Sequence, residues 1–234
     1  MRFAGRRMVV TGAASGLGLA IARAAEAEGA AITALDRDQA PFAGARRCDV
    51  SDEEQVKAAL APLSRIDALV NSAGIPLRLS VTDTEMADYD RLMAVNLRGS
   101  FLVSKYALPK MRQHGGAVLH LASVVATTGT RNRAAYSASK GAIVALTRNM
   151  ALDYAGDNIR VNCLCPGFVE TPLLAGLPPE RKAKLAAAHP LGRLGTPEDV
   201  VPMALLLLSD DGRWITGQAI GVDGGFNAGH ADDF

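Results

Sequence analysis

Two side chains in the stretch "AAYSASKGA", Tyr136 and Lys140, stand four residues apart and are the first candidates for chemistry. On a helix that spacing puts both on one face, so a phenol and an ammonium project side by side. Such a pair suits the interconversion of an alcohol and a carbonyl. Taking hydride from the alcohol requires a base for the hydroxyl proton, and the reverse reaction requires an acid in the same place. A free tyrosine titrates near 10, and a neighbouring cation favours the phenolate, each pH unit of lowering being worth about 1.4 kcal/mol. Ser123 closes the apolar run "AVLHLAS", thirteen positions before Tyr136. At the C-terminal end of a strand its hydroxyl can hold a substrate oxygen while Tyr136 exchanges the proton. Taken singly, Ser123 reads equally well as a strand end and Lys140 as surface charge.

A second stretch, "VVTGAASGLGLAIA", is an apolar strand running through Gly12, Gly16 and Gly18 into a helix. A diphosphate can reach the backbone amides of a helix N-terminus only where side chains are absent, which is what glycines supply. The same turn also reads as a purely structural one.

These residues need a scaffold. Apolar runs of strand length recur at "RMVVTG", "AAITALD", "ARRCDV", "DALVNSAG", "GAVLHLAS", "NIRVNCLCP" and "QAIGVDGG". Segments of helical period separate most of them, among them "GLAIARAAEAEG", "DEEQVKAALAPL", "RGSFLVSKYALPKMRQ" and "KGAIVALTRNMALDYAG". This alternation predicts an α/β fold with a doubly wound, mainly parallel sheet. Between the second and third strands lie only the nine residues "RDQAPFAGA", too few for a crossover helix, so a compact loop is expected there. No repeat or linker divides the 234 residues, and one domain over 1–234 is expected. Residues 168–197, rich in Pro and Gly around a short helical piece, read as a flap.

Composition narrows the partners. With 25 basic and 24 acidic residues mixed along the chain, no polybasic stripe exists to track nucleic acid or anionic lipid, so neither is an expected partner. The apolar run after "MRFAGRR" is too short for a signal core or a membrane span, and a cytoplasmic protein is expected. Cys48, Cys163 and Cys165 lack CxxC spacing and stand apart from the four histidines, so no metal site or disulfide is expected, only free buried thiols.

The glycine spacing TGxxxGxG resembles that of the short-chain dehydrogenase/reductase family, and further matches follow in that family's order. They are "NSAG" at 71–74, "VNLRG" at 95–99, "LAS" ending at Ser123, "YSASK" at 136–140, "PG" at 166–167 and "VDGG" at 222–225. The resemblance covers almost the whole chain. It implies a single Rossmann-type domain, a seven-stranded sheet flanked by helices on both faces, and an NAD(P)-dependent oxidoreductase acting on a small-molecule substrate. It assigns catalytic roles to Ser123, Tyr136 and Lys140, with the positive nicotinamide ring joining Lys140 in favouring the phenolate. It adds Asn96, whose helix carries a water linking Lys140 to solvent; the plainer reading of Asn96 is a helix cap. For the cofactor it implies Gly12, Ser15, Gly16, Leu17 and Gly18 at the turn and Asp49 and Val50 beside the adenine. Asn71, Ala73 and Gly74 would support the cofactor and central strands. Pro166, Gly167, Val169 and Thr171 would lie along the nicotinamide and diphosphate. Ser72 departs from the pattern, where the family usually shows a second asparagine. Members associate through the helices near Arg98 and Tyr136 and through the last strand, so a homodimer or homotetramer is expected.

Asp36 ends the second strand about twenty residues past the turn, where a carboxylate accepts hydrogen bonds from a ribose diol and repels a 2′-phosphate. NAD is therefore favoured over NADP, although the adjacent Arg37 is able to pair with a phosphate. For the substrate, Arg131, Arg133 and Arg193 are candidates to receive a carboxylate, with Phe168 beside them, against the plainer reading of surface arginines or an ion pair with a residue such as Glu198. Leu173, Leu174 and Leu177 leave a neutral polyol or other secondary alcohol open. His120 is expected to be a satisfied core histidine, and His189 a residue able to face the substrate. The resulting expectation is hydride transfer between NAD(H) and a polyol, sugar, or hydroxy or sugar acid. The alternatives are an NADPH-dependent 3-oxoacyl thioester reductase and an NAD-binding sensor without turnover.

Overall fold

The computed structural model describes residues 1–229. Seven strands form one parallel sheet: β1 (Arg7–Thr11), β2 (Ala31–Asp36), β3 (Arg46–Arg47), β4 (Ala68–Asn71), β5 (Gly116–Leu121), β6 (Ile159–Pro166) and β7 (Ala219–Val222). Their order is β3-β2-β1-β4-β5-β6-β7, and every pairing is parallel. The order reverses direction between β1 and β4, which opens a crevice beyond the C-terminal ends of those strands. Strands β4 and β6 are buried almost throughout, because helices cover both faces and leave no side for polar residues.

On one face α1 (Gly16–Ala27) packs with α8 (Pro197–Leu208), Ile21, Ala22 and Ala25 meeting Val200, Ala204 and Leu208. On the other face α2 (Glu53–Leu60), α4 (Gly99–Ala107) and α5 (Ala134–Asp153) contribute Val56, Leu60, Val103, Ala107 and Met150 to a second core. The β2–β3 connection is a loop, as its length requires, anchored by buried Ala40 and Phe42. Strand β3 is shorter than the run "ARRCDV" suggested, pairing with β2 only through Leu35↔Arg46 and Asp36↔Arg47.

Two elements differ from expectation. The helix expected from Arg98 begins earlier: α3 (Met86–Met93) runs through a π turn at Ala94–Arg98 directly into α4. Asn96 therefore lies inside a helical rod and caps nothing. In 168–197 the single expected helical piece is two, α6 (Pro172–Ala175) and α7 (Pro179–Ala187), split by Gly176 and the Pro178-Pro179 pair. Phe226, where the tail begins, packs on Phe168 of the same chain; residues 230–234, whose sequence allows disorder or a reach to a neighbouring subunit, lie outside the described ones.

Candidate active site

A cleft of about 330 Å³ opens where the strand order reverses. At one end the chain turns from β1 into α1. Gly12 has φ +65°, and a Cβ there would stand 2.8 Å from the amide nitrogen of Ala73. Gly16 has φ +56° and opens α1, whose N-cap Ser15 makes no side-chain cap. No acidic residue occupies that first turn, so its amides face the cleft without a side-chain acceptor and suit a diphosphate. Thr11, which the motif reading passed over, ties this turn to β4: its buried hydroxyl oxygen accepts from the amides of Ser72 at 3.0 Å and Ala73 at 3.1 Å.

Asp36 lines the cleft beyond the turn, its two carboxylate oxygens accepting from the amides of Ala14 (2.9 Å) and Asp38 (3.0 Å). Asp49 and Val50 line the same end; the Asp49 carboxylate is engaged by the amide and hydroxyl of Ser51, and the Val50 side chain lies against Gly99. Ser15, Leu17, Ala73, Gly74, Pro166, Gly167, Phe168, Val169 and Thr171 also line the cleft. Ser72 joins them, as does Arg78, which carries no sequence signal because it sits in an aperiodic segment after β4.

Two expected cofactor residues are elsewhere. Asn71 is buried in β4, where its amide donates to Ser104 Oγ at 3.0 Å and meets His120 Nδ1 at 3.2 Å; it supports the strands and does not reach the cleft. Gly18 is buried one turn into α1, where a Cβ would fall 2.2 Å from the carbonyl oxygen of Gly12. Its role is close packing of helix on turn.

At the other end Ser123 follows β5, and Tyr136 and Lys140 project from α5 into the same cleft. Ser123 and Tyr136 line this end of the cleft together, the serine hydroxyl oxygen accepting from the amide of Val125 at 3.4 Å. Lys140 Nζ donates to the carbonyl of Leu121 at 2.7 Å and lies 5.8 Å from the Tyr136 ring centroid. Asn96 is buried behind them. Its Oδ1 accepts from the amide of Ile75 at 2.8 Å, and its Nδ2 donates to the carbonyl of Ile75 at 3.0 Å and to Ser139 Oγ at 3.2 Å. The π turn that carries Asn96 is a distortion characteristic of functional segments.

Burial dominates the titration of both groups. It pushes the Lys140 ammonium down to about 8, with Cys165 and Cys163 opposing. It also pushes the Tyr136 phenol above its ordinary value. The largest opposing influence on the phenol is the Arg133 guanidinium, followed by the Ser123 hydroxyl.

Of the substrate candidates, Arg133 and Phe168 line the cleft and Arg131 is exposed. Arg193 is not available to a substrate: its guanidinium is held bidentately by Asp199, at 2.6 and 2.8 Å, and the partner is Asp199 rather than Glu198. His189 is buried and does not face the cleft, its Nδ1 donating to the Leu185 carbonyl and its Nε2 accepting from the Phe168 amide. His120 is only half satisfied, because Nε2 has no partner among the described residues; burial, then Lys140, pushes it down to about 4. The three cysteines are free and buried. No helix among the described residues is long and apolar enough to cross a membrane, and no three metal-ligating side chains cluster among them.

Comparisons with known proteins agree with this architecture. Residues 12–227 match a family model described as Enoyl-(Acyl carrier protein) reductase. The chain is 40% identical to 2-(S)-hydroxypropyl-CoM dehydrogenase 3 of Xanthobacter autotrophicus, with 94% of this chain and 96% of that one covered. It is 39% identical to meso-2,3-butanediol dehydrogenase of Serratia marcescens, over 97% of each. A solved structure from Beutenbergia cavernae, described as an NAD(P)-dependent gluconate 5-dehydrogenase with NADP bound at low occupancy, superposes with a TM-score of 0.91 at 37% identity. That superposition covers 97% of this chain and 98% of the other. A parallel seven-stranded sheet, a glycine turn under an open helix end, and similarity along nearly the full length together place the chain in the short-chain dehydrogenase/reductase family, whose members use a nicotinamide dinucleotide.

Proposed function

We propose that the chain transfers a hydride between NAD(H) and the secondary alcohol or carbonyl of a small hydroxylated metabolite, in one cleft that forms with its flap a single catalytic domain. The observation that carries this reading is that Ser123, Tyr136 and Lys140 line one cleft, with the lysine ammonium 5.8 Å from the Tyr136 ring centroid. The glycine turn opens onto that same cleft. When bound, the dinucleotide supplies the hydride acceptor or donor. The chain's own residues do the rest. Ser123 holds the substrate oxygen through its hydroxyl. Tyr136 takes the hydroxyl proton during oxidation and returns it during reduction. Lys140 supplies positive charge beside the phenol, and the Asn96 segment, tied to Ile75 and Ser139, fixes the wall along which a proton leaves. Asp36, at the ribose end, favours NAD over NADP because a 2′-phosphate there would meet a carboxylate.

A second reading, an NADPH-dependent reductase of oxoacyl thioesters, is supported by 35% identity to a 3-oxoacyl-(acyl-carrier-protein) reductase of Thermotoga maritima and disfavoured by Asp36. We also infer a homodimer or homotetramer, supported by Phe101 of α4 and Leu152 of α5, which are 55% and 80% exposed. The free thiols suit a cytoplasmic location. The deciding experiment is Tyr136→Phe. Loss of turnover by about a hundredfold or more, with dinucleotide affinity within about threefold by calorimetry, is the expected result; undiminished turnover overturns the mechanism.

A further inference from the structure

The substrate end of the cleft carries more positive charge than hydride transfer requires. Arg133 is the N-cap residue of α5, three positions before Tyr136, and only 9% exposed. Its guanidinium carbon lies 5.6 Å from the Tyr136 ring centroid and 6.0 Å from that of Phe168, so two aromatic faces hold the planar group in place. Arg78 lines the cleft from the segment after β4. None of the ion pairs among the described residues uses Arg78, Arg133 or Arg181.

A nearly buried guanidinium without a carboxylate is costly, and a second one beside it makes the cost larger. The repulsion is visible in the titration: burial and then Arg78 push Arg133 below its ordinary value, and Arg181 of α7 presses on both. Arg160, by contrast, is half-buried but donates to the main-chain carbonyls of Leu207, Ser209 and Ile215. The diphosphate is not the missing partner, since its place is the glycine turn at the other end of the cleft.

We propose that Arg133 and Arg78 form an anion subsite, and that the substrate is a small hydroxy acid whose carboxylate they hold while Ser123 and Tyr136 act on its secondary alcohol. The proposal rests on the dehydrogenase reading of the same cleft. The planar fork of a guanidinium matches the two oxygens of a carboxylate. In oxidation the carbinol carbon gives its hydride to the oxidised dinucleotide, and the hydroxyl gives its proton to Tyr136. The product is an oxo acid with its carboxylate unchanged. Arg181, on the flap, adds charge that draws the acid toward the cleft mouth.

The test uses full-length protein saturated with NAD. Three- to six-carbon 2-, 3- and 4-hydroxy acids are titrated by calorimetry beside their primary amides, and turnover is followed separately by NADH absorbance. At least one acid is expected to bind about tenfold or more tightly than its amide, and that preference is expected to collapse in Arg133→Met and in Arg78→Met. Arg133→Lys, which keeps the charge and loses the fork, is expected to retain part of it. Equal binding of acids and amides, binding of neither, or a preference unchanged in both Met variants overturns the subsite. Turnover of amides and acids alike would discard the subsite and leave the oxidoreductase reading standing. Arginine-dependent acid binding without NADH formation would do the reverse.

Discussion

The ammonium of Lys140 donates to the main-chain carbonyl of Leu121 at 2.7 Å, fastening α5 to the end of β5 two residues before Ser123. One hydrogen bond thus fixes the distance between the helix that carries the phenol and the strand that delivers the serine. The lysine is buried for this purpose, and its ordinary affinity for a proton falls as a result.

That burial has a measurable cost. With the folded value lowered to about 8, the unfolded chain holds a proton that the fold has released across the window from pH 8 up to the ordinary lysine value. Stability therefore rises with pH through that window, and the penalty is fully present below it. Relative to Lys140→Met, the wild type is expected to gain about 2 kcal/mol between pH 7.5 and 9.5, read from urea unfolding of both proteins. A difference that is flat or falls with pH would contradict the assignment.

Asp36→Ser removes the carboxylate that the proposed function sets against the ribose and leaves Arg37 beside it. The ratio of NAD to NADP affinity is expected to fall by about tenfold or more, the order set by one charge pair a few ångströms apart near a surface. Calorimetry with the two oxidised dinucleotides measures it. An unchanged ratio would move the selectivity away from Asp36.

Gly18→Ala places a methyl group where the Gly12 carbonyl stands, 2.2 Å away. Neither partner can yield without moving α1 against its turn, and a loss of about 1–3 kcal/mol is expected, with weaker dinucleotide binding. Gly176→Ala is the control, because its Cβ would meet nothing within 4 Å. Chemical unfolding of the two variants side by side checks the contrast.

Arg193→Ala breaks an ion pair at the surface and touches nothing in the cleft that carries Tyr136. Its kcat/KM is expected to remain within about twofold of wild type, since exposed pairs contribute little. A large loss confined to acidic substrates would return Arg193 to the site.

The alternation of apolar runs with helical segments was sufficient for the parallel sheet, because strands buried on both faces and helices buried on one leave different periods. That the glycine turn, Ser123, Tyr136 and Lys140 share one cleft was legible for a related reason: each sits at a strand end or on one helix face. What long-range packing decides was not. Whether Arg193 or Arg133 stands free depends on Asp199 capturing one and no described residue capturing the other. Arg78 enters the cleft from a segment without a period, and His189 turns inward because a carbonyl and an amide of its own flap satisfy its ring. The direction of the Tyr136 shift likewise belongs to the tertiary structure. A sequence shows which charges are near a phenol along a helix, but only the packed fold shows how much water has been removed from around it.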